Sequence, residues 1–257
     1  MEVATVAKQR VDPAVSRKGS VDRRSPLVSV VVPTLNEERN VPGVLAGLPP
    51  HLHELIVVDG RSTDSTVAVV RGLRPDARVL VQPGSGKGDA LALGFAAATG
   101  DIVVTVDGDG STNPAEIPRF VQALMDGADI AKGSRFLDGG GSDDLTPLRR
   151  AGTRALTGVA NLLFGTHYTD LCYGYNAFRR ESLDRISVTT GFEVEASMNV
   201  SAARAGLRVI EVPSYELARQ HGTSNLRTVR DGTRVLRAIV GERARRRPRA
   251  EPAAARA

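Results

Sequence analysis

From Leu27 onward the chain alternates short β-branched runs with longer helix-forming stretches, and this constrains its fold more than anything else in the sequence. Val28-Ser29-Val30-Val31-Val32 is an almost continuous apolar run stopped by Pro33, the pattern of a strand buried on both faces. Strands are expected again at 54–58, 78–81, 101–106 and 129–133. Between them lie helical stretches at 37–48, from Ser62 or Thr63 to about 73, at 87–99 with Gly100 as the residue past the helix end, and from Asn113-Pro114 to about 125. Strands separated by such helices need right-handed crossovers. The chain is therefore expected to be an α/β protein with a mostly parallel central sheet flanked by helices.

After the fifth strand the pattern changes. Residues 137–144 (LDGGGSDD) are expected to form a mobile loop, followed by an amphipathic helix at 148–164 and another helix at 192–205. A strand at 207–212 and a basic amphipathic helix at 226–240 complete the pattern, the last with Leu226, Val229, Leu236, Ile239 and Val240 as its apolar positions. We expect a flexible leader over 1–25, one folded domain over 26–241 and a basic disordered tail over 242–257.

Composition narrows the function classes. A single cysteine, Cys172, excludes an internal disulfide and a multi-cysteine metal site, and suits a reducing cytoplasm. No apolar run reaches the roughly 18–20 residues of a membrane span, and residues 1–25 hold no apolar core of a secretory signal. The net charge is +5, and over 227–256 arginines far outnumber the three acids Asp231, Glu242 and Glu251. Such an end can meet anionic lipid, nucleic acid or only water. With 4% aromatics and no Trp, a base-stacking surface is poorly supplied, so no specific nucleic-acid partner is expected.

In parallel sheets ligands bind beyond the carboxyl ends of the strands, and polar clusters fall at those ends: Asn36-Glu37, Asp59, and Asp107-Gly108-Asp109. The last pair could meet Mg²⁺ or Mn²⁺, ions that take oxygen ligands and share them with substrate phosphates; a solvated acidic turn has the same composition. Gly84-Ser85-Gly86-Lys87-Gly88 precedes a helix and could favour an anion without being a P-loop. Gly133-Ser134-Arg135 places a guanidinium near the same edge, and Arg219, His221 and Ser224 form a later polar cluster. Glu195 shares a helix face with Asn199 and could act as a base or orient an acceptor hydroxyl; a structural glutamate would look the same. Cys172 reads as a packed residue, with no histidine pattern to activate it.

Eight segments in order resemble the family 2 glycosyltransferases, and among them the dolichyl-phosphate mannose synthase-like branch. They are V-V-V-P-T-L-N-E-E-R-N (30–40), I-V-V-D-G-R-S-T-D-S-T (56–66), G-K-G-D-A-L (86–91), D-G-D-G (107–110), G-S-R-F (133–136), T-D-L-C-Y-G-Y-N-A-F-R-R (169–180), G-F-E-V-E (191–195) and R-Q-H-G-T-S-N-L (219–226). The resemblance implies a GT-A fold and inverting transfer of a hexose from a nucleotide-diphosphate sugar of the GDP-mannose or UDP-glucose type. The acceptor it implies is a polyprenyl phosphate, with a soluble metabolite or glycan hydroxyl as the alternative. By position, Pro33, Asn36 and Glu37 would line the nucleotide pocket, Asp59 would contact base or ribose, and Lys87 would lie beside the nucleotide. Asp107 and Asp109 would hold Mg²⁺ or Mn²⁺, with Asp109 favoured as the direct ligand. Arg135, Arg219 and Ser224 would hold diphosphate or acceptor phosphate. Asp109, Glu195 and Arg135 are the catalytic candidates, with Asp170 a second candidate base. The family's D-D-G-S-T-D is here Asp59-Gly60-Arg61-Ser62-Thr63-Asp64, one carboxylate fewer and an arginine more. A cytoplasmic place is expected, with peripheral contact at the inner face of an anionic membrane through the 148–164 helix, the 226–240 helix or the arginine-rich end.

Three other readings compete. A sugar-nucleotide nucleotidyltransferase would need a glycine-rich signature after the first strand, where Pro33-Thr34-Leu35-Asn36-Glu37 stands instead. A non-catalytic binding module would be favoured by loss of the aspartate pair, which is present. A basic nucleic-acid binder rests on the tail alone.

Overall fold

The computed structural model describes residues 25–191, 193–222 and 228–244. Residues 1–24 of the leader expected over 1–25, Ser224, and residues 245–257 of the tail expected over 242–257 lie outside the described residues. A seven-stranded sheet runs in the order β3-β2-β1-β4-β7-β5-β8. Its strands are β1 Val28–Thr34, β2 Glu54–Asp59, β3 Arg78–Val81, β4 Ile102–Thr105, β5 Ile130–Ser134, β7 Asn176–Arg179 and β8 Val209–Pro213. All neighbours are parallel except β7, which is antiparallel to both β4 and β5. A small second ladder pairs β6 Gly141–Ser142 with β9 Tyr215–Glu216.

The β-branched run of β1 divides its side chains between two cores, because successive residues of a strand face opposite sides. Val30 and Val32 join Leu55, Val57, Val104, Phe120 and Leu124 on one face, where helices α1 Val41–Gly47, α2 Thr66–Leu73 and α4 Ile117–Met125 lie. Val31 joins Ile56, Val58, Leu91, Phe95 and Met198 on the other, under α3 Lys87–Ala97 and α7 Val194–Arg204. Each fully buried valine or leucine contributes about 1.5–3 kcal/mol, so covering both faces makes the sheet the rigid platform of the molecule. Helices α5 Pro147–Phe164 and α8 Thr228–Ala244 pack on α7 through a third cluster that includes Ala160, Leu171, Val200, Val235 and Ile239.

Several sequence expectations are corrected. The first helix starts at Val41 rather than 37, with Pro42 in its first turn, where proline's missing N–H costs nothing. The second starts at Thr66, because Asp59 takes the hydroxyl and N–H of Ser62 while Asp64 accepts from Thr66. Gly100 lies beyond the cap residue Ala98; a methyl group there would meet the Leu27 carbonyl oxygen at 2.7 Å. Residues 137–144 are held by the β6–β9 ladder and by bonds from Gly140 to Leu137 and from Gly141 to Ser214. The apolar positions of α8 divide: Val235 and Ile239 are buried, while Leu236 and Val240 are exposed. No described helix is long and apolar enough to cross a membrane.

Candidate active site

The carboxyl ends of β1, β2 and β4 open into a cavity of about 540 Å³, roofed by α5, α8 and the segment after β9. Of the expected residues, Pro33, Glu37, Lys87 and Asp107 line it, and so do Asp109, Arg135, Glu195 and Arg219. Six segments far apart in sequence therefore meet at one sheet edge.

Two cations tie the carboxylates together. Lys87 Nζ lies 2.6 Å from Asp107 Oδ1 and 2.7 Å from Glu195 Oε1. Arg219 donates to Glu37 Oε1 at 3.0 Å and to Asp109 Oδ2 at 2.8 Å. Four carboxylates thus face two cations, leaving two formal negative charges uncompensated within the group. Burial works against the charge on Lys87, yet Asp107 and Glu195 outweigh it and hold its pKa above the ordinary lysine value. Burial, together with the neighbouring Asp109 and Glu195, raises Asp107 in spite of Lys87. Burial raises Glu37 as well, beyond what Asn40 and Arg219 recover. Asp109 goes the other way: burial opposes its charge, but hydrogen bonds from Ser111 and the charges of Arg219 and Lys87 lower its pKa.

The segment carrying Arg219 is strapped over the cavity. Leu217 N–H donates to the Ser111 carbonyl at 2.8 Å, and the Asn40 amide bonds both N–H and C=O of His221 at 3.0 Å. Asn36 does not line the cavity. It sits at φ +56° and zips the turn after β1 to the turn after β2, accepting from Thr63 N–H and donating its own N–H to Ser62 Oγ. Asp59 is 2% exposed, and its carboxylate turns inward to Ser62 instead of facing the cavity as a base or ribose contact.

Arg135 differs most from its expected role. Its Nε and Nη2 grip Asp170 at 2.7 and 3.0 Å, its Nη1 reaches Glu216 at 3.1 Å, and its plane lies 4.9 Å over the Tyr173 ring. Burial opposes its charge, but Asp170 and Glu216 keep the pKa above the ordinary arginine range. Its guanidinium thus ties Asp170 to Glu216. Asp170 is fully buried, and although burial opposes its charge, Arg135 and Lys132 hold its pKa low. Burial and Asp170 push the Cys172 thiol up to about 12.

Sequence reading missed two residues. Gly174 lies against the charge cluster: a methyl group there would stand 2.7 Å from Lys87 Nζ and 3.0 Å from Asp107 Oδ2. Its position inside C-Y-G-Y was the only signal. Arg149 lines the α5 wall and, among the described residues, its ion pair is with Asp144, at 2.7 Å; the first turn of a helix is an unfavourable place for a cation.

The family model for glycosyl transferase family 2 matches residues 29–187. The polyprenol monophosphomannose synthase of Mycolicibacterium smegmatis is 32% identical over 213 residues, 77% of this chain and 80% of that protein. The undecaprenyl-phosphate mannosyltransferase of Micrococcus luteus is 30% identical over 217 residues, 77% of this chain and 87% of that protein. A crystal structure of glucosyl-3-phosphoglycerate synthase from Mycobacterium tuberculosis with Mn2+, UDP and glucosyl-3-phosphoglycerate superimposes with a TM-score of 0.69 at 27% identity, covering 85% of this chain and 80% of that one. The mostly parallel sheet with its ligand edge, the ordered motifs and these matches lead to one assignment: the chain belongs to glycosyl transferase family 2, a glycosyltransferase of GT-A fold.

Proposed function

We propose that the protein moves a hexose from a nucleotide-diphosphate sugar to a polyprenyl phosphate, with inversion at the anomeric carbon. The observation that carries this is the charge cluster: Asp107 and Asp109 at the end of β4, linked through Lys87 and Arg219 to Glu195 and Glu37. The names of the two curated relatives support the acceptor class.

Asp107 and Asp109 would hold Mg²⁺ or Mn²⁺. The donor set fits: two carboxylates at the end of β4 offer only oxygen, the ligand type that suits an ion sharing its shell with substrate phosphates. When bound, the ion supplies positive charge that offsets the negative charge growing on the departing diphosphate. Lys87 and Arg219 add fixed donors at the same place. The acceptor phosphate arrives already anionic and needs no proton removed. Glu195 is then free to anchor Lys87, and Arg149, on the α5 wall of the cavity, would be a cation for the acceptor phosphate. The attacking phosphate oxygen forms its bond to the anomeric carbon from the face opposite the nucleotide, and the bond to the diphosphate oxygen breaks.

The acceptor side faces a surface suited to anionic lipid. On α8 the exposed charges Arg230, Arg234, Arg237 and Arg243 are all positive, while Asp231 and Glu242 are buried. Leu148 and Leu162, near opposite ends of α5, are exposed at 66% and 85%. Such basic and apolar faces bind peripherally.

One solved neighbour favours a second reading, transfer to a hydroxyl of a soluble phosphorylated acceptor; Glu195 would then have to release Lys87 to take the proton. The test is a panel of UDP- and GDP-hexoses with Mn²⁺ or Mg²⁺, with and without polyprenyl phosphate. Lipid-linked hexose formed together with free nucleoside diphosphate supports the first reading. Product only with a soluble acceptor selects the second, and no transfer to either sinks both.

A further inference from the structure

Residues 166–175 form neither helix nor strand, yet five consecutive N–H groups among them are held by side chains. Tyr168 donates to Asn161, Leu171 to Thr157 and Cys172 to Asp170. Thr169 and Asp170 share one carboxylate. Thr169 gives its N–H and its hydroxyl to Glu211 Oε2 at 2.8 and 2.9 Å, and Asp170 gives its N–H to Glu211 Oε1 at 3.1 Å. Glu211 belongs to β8, the edge strand, so a side chain does here what the carbonyls of a further strand would do.

Behind Glu211 stands a buried cation. Lys132 faces it across the β5–β8 register and is 0% exposed. Its Nζ lies 3.3 Å from Glu211 Oε1, donates to the Gly133 carbonyl at 3.3 Å and sits 5.7 Å from the Tyr168 ring centre. An ammonium is costly to bury without a partner, and neither Lys132 nor Glu211 lines the cavity. The segment they hold does reach it: Cys172, Tyr173 and Gly174 are part of the wall. Tyr173 packs on the backbone of β5, where a methyl group on Gly133 would stand 2.8 Å from the ring, and Gly174 lies against Lys87 and Asp107.

We infer that Glu211, neutralised by Lys132, is a positioning residue for the transfer reaction: it fixes the start of 169–174 so that Gly174 forms the floor on which Lys87 meets Asp107 and Glu195. This rests on the function proposed above. Three donors converge on Glu211 from the segment, and they need both oxygens of a carboxylate. A glutamine offers one acceptor oxygen and turns an amino group toward a peptide N–H or toward the ammonium. The geometry therefore calls for the negative charge, and the negative charge calls for Lys132. A buried ion pair that serves stability alone can be exchanged for neutral groups of similar shape at little cost. Here that exchange keeps the fold and loses the placement.

The test separates stability from turnover in the full chain. Glu211→Gln strands the Lys132 ammonium and should lower both the urea midpoint and kcat. Adding Lys132→Met removes the stranded charge. We expect the double variant to regain the wild-type midpoint but to keep kcat lowered by about 10- to 100-fold, with little change in KM for the nucleotide sugar. Amide hydrogen exchange at 169–170 should be faster than in the wild type, and exchange in β1 and β4 unchanged. Should the double variant fail to fold, Glu211→Asp keeps the charge beside Lys132 but shortens the reach, and must lower kcat in the same way. Wild-type kcat and exchange in a double variant of restored stability, or a kcat that simply follows stability through the variants, overturns the inference. A wild type that transfers to no acceptor sinks the proposed function instead; exchange at 169–170 then decides alone, faster in the double variant upholding the clamp and unaltered overturning it.

Discussion

Gly174 stands so close to Lys87 that a side chain of a single methyl group would lie 2.7 Å from the ammonium nitrogen. The residue is glycine because the charge cluster occupies the space. Gly174→Ala is therefore expected to push Lys87 off Asp107 and Glu195 and to lower turnover about 100-fold, the scale of a misplacement near 1 Å. The melting temperature should hardly move, since the displaced atom is the end of a flexible side chain. Steady-state kinetics alongside a thermal melt checks this; unchanged turnover would free Gly174 of any part in placing Lys87.

Asp109→Ala removes one of two carboxylates offered to the cation. We expect turnover to fall about 100–1,000-fold and Mn²⁺-dependent binding of nucleoside diphosphate to weaken, with the fold retained because Arg219 keeps Glu37 as a partner. A folded variant with wild-type metal dependence would take Asp109 out of the site.

Asp170→Asn breaks the grip on Arg135 and leaves a guanidinium buried with one partner fewer. The expected loss is about 3–5 kcal/mol, read by urea unfolding. Arg135 and Lys132 depress the folded pKa of Asp170, so its contribution is fully present above the ordinary carboxylate value and disappears as the pH falls through the lower folded value. Acid unfolding of the wild type should show this loss and that of Asp170→Asn should lack it; identical acid limbs would contradict the assignment.

The exposed leucines of α5 and the arginines of α8 predict binding to vesicles rich in anionic lipid. Co-sedimentation should weaken several-fold on raising salt from 0.05 to about 0.5 M, as screening shortens the reach of the arginines. Leu162→Glu should reduce it further without affecting the thermal melt. Salt-independent binding, or none, would remove the membrane from the proposal.

Much of this was legible from residue pattern. The valine run of β1, the alternation that follows and the aspartates closing β4 gave the sheet and its ligand edge, because burial on both faces leaves a continuous apolar signature. β7 was not legible. Asn-Ala-Phe-Arg has no β-branched residue, and it is a strand because β4 and β5 offer it ladders on both sides, pairing Val104 and Ala131 with Ala177. Charge pairing was equally hidden. Arg135 and Asp170 are 35 residues apart, and nothing local tells a guanidinium free for phosphate from one already held by carboxylates. Glu37 and Arg219, 182 residues apart, could be placed in one pocket only through the family resemblance.

The reversed direction of β7 has a consequence for how such an enzyme can diversify. The chain leaves the ligand edge after β5 and, because β7 runs backwards, comes home to that same edge at residues 169–175. Everything between, α5 included, is an excursion with both feet on one shore. An excursion of that kind can be lengthened, shortened or exchanged for another without shifting β1, β2 and β4, so the residues that cover the cavity can change while the sheet edge beneath keeps its geometry.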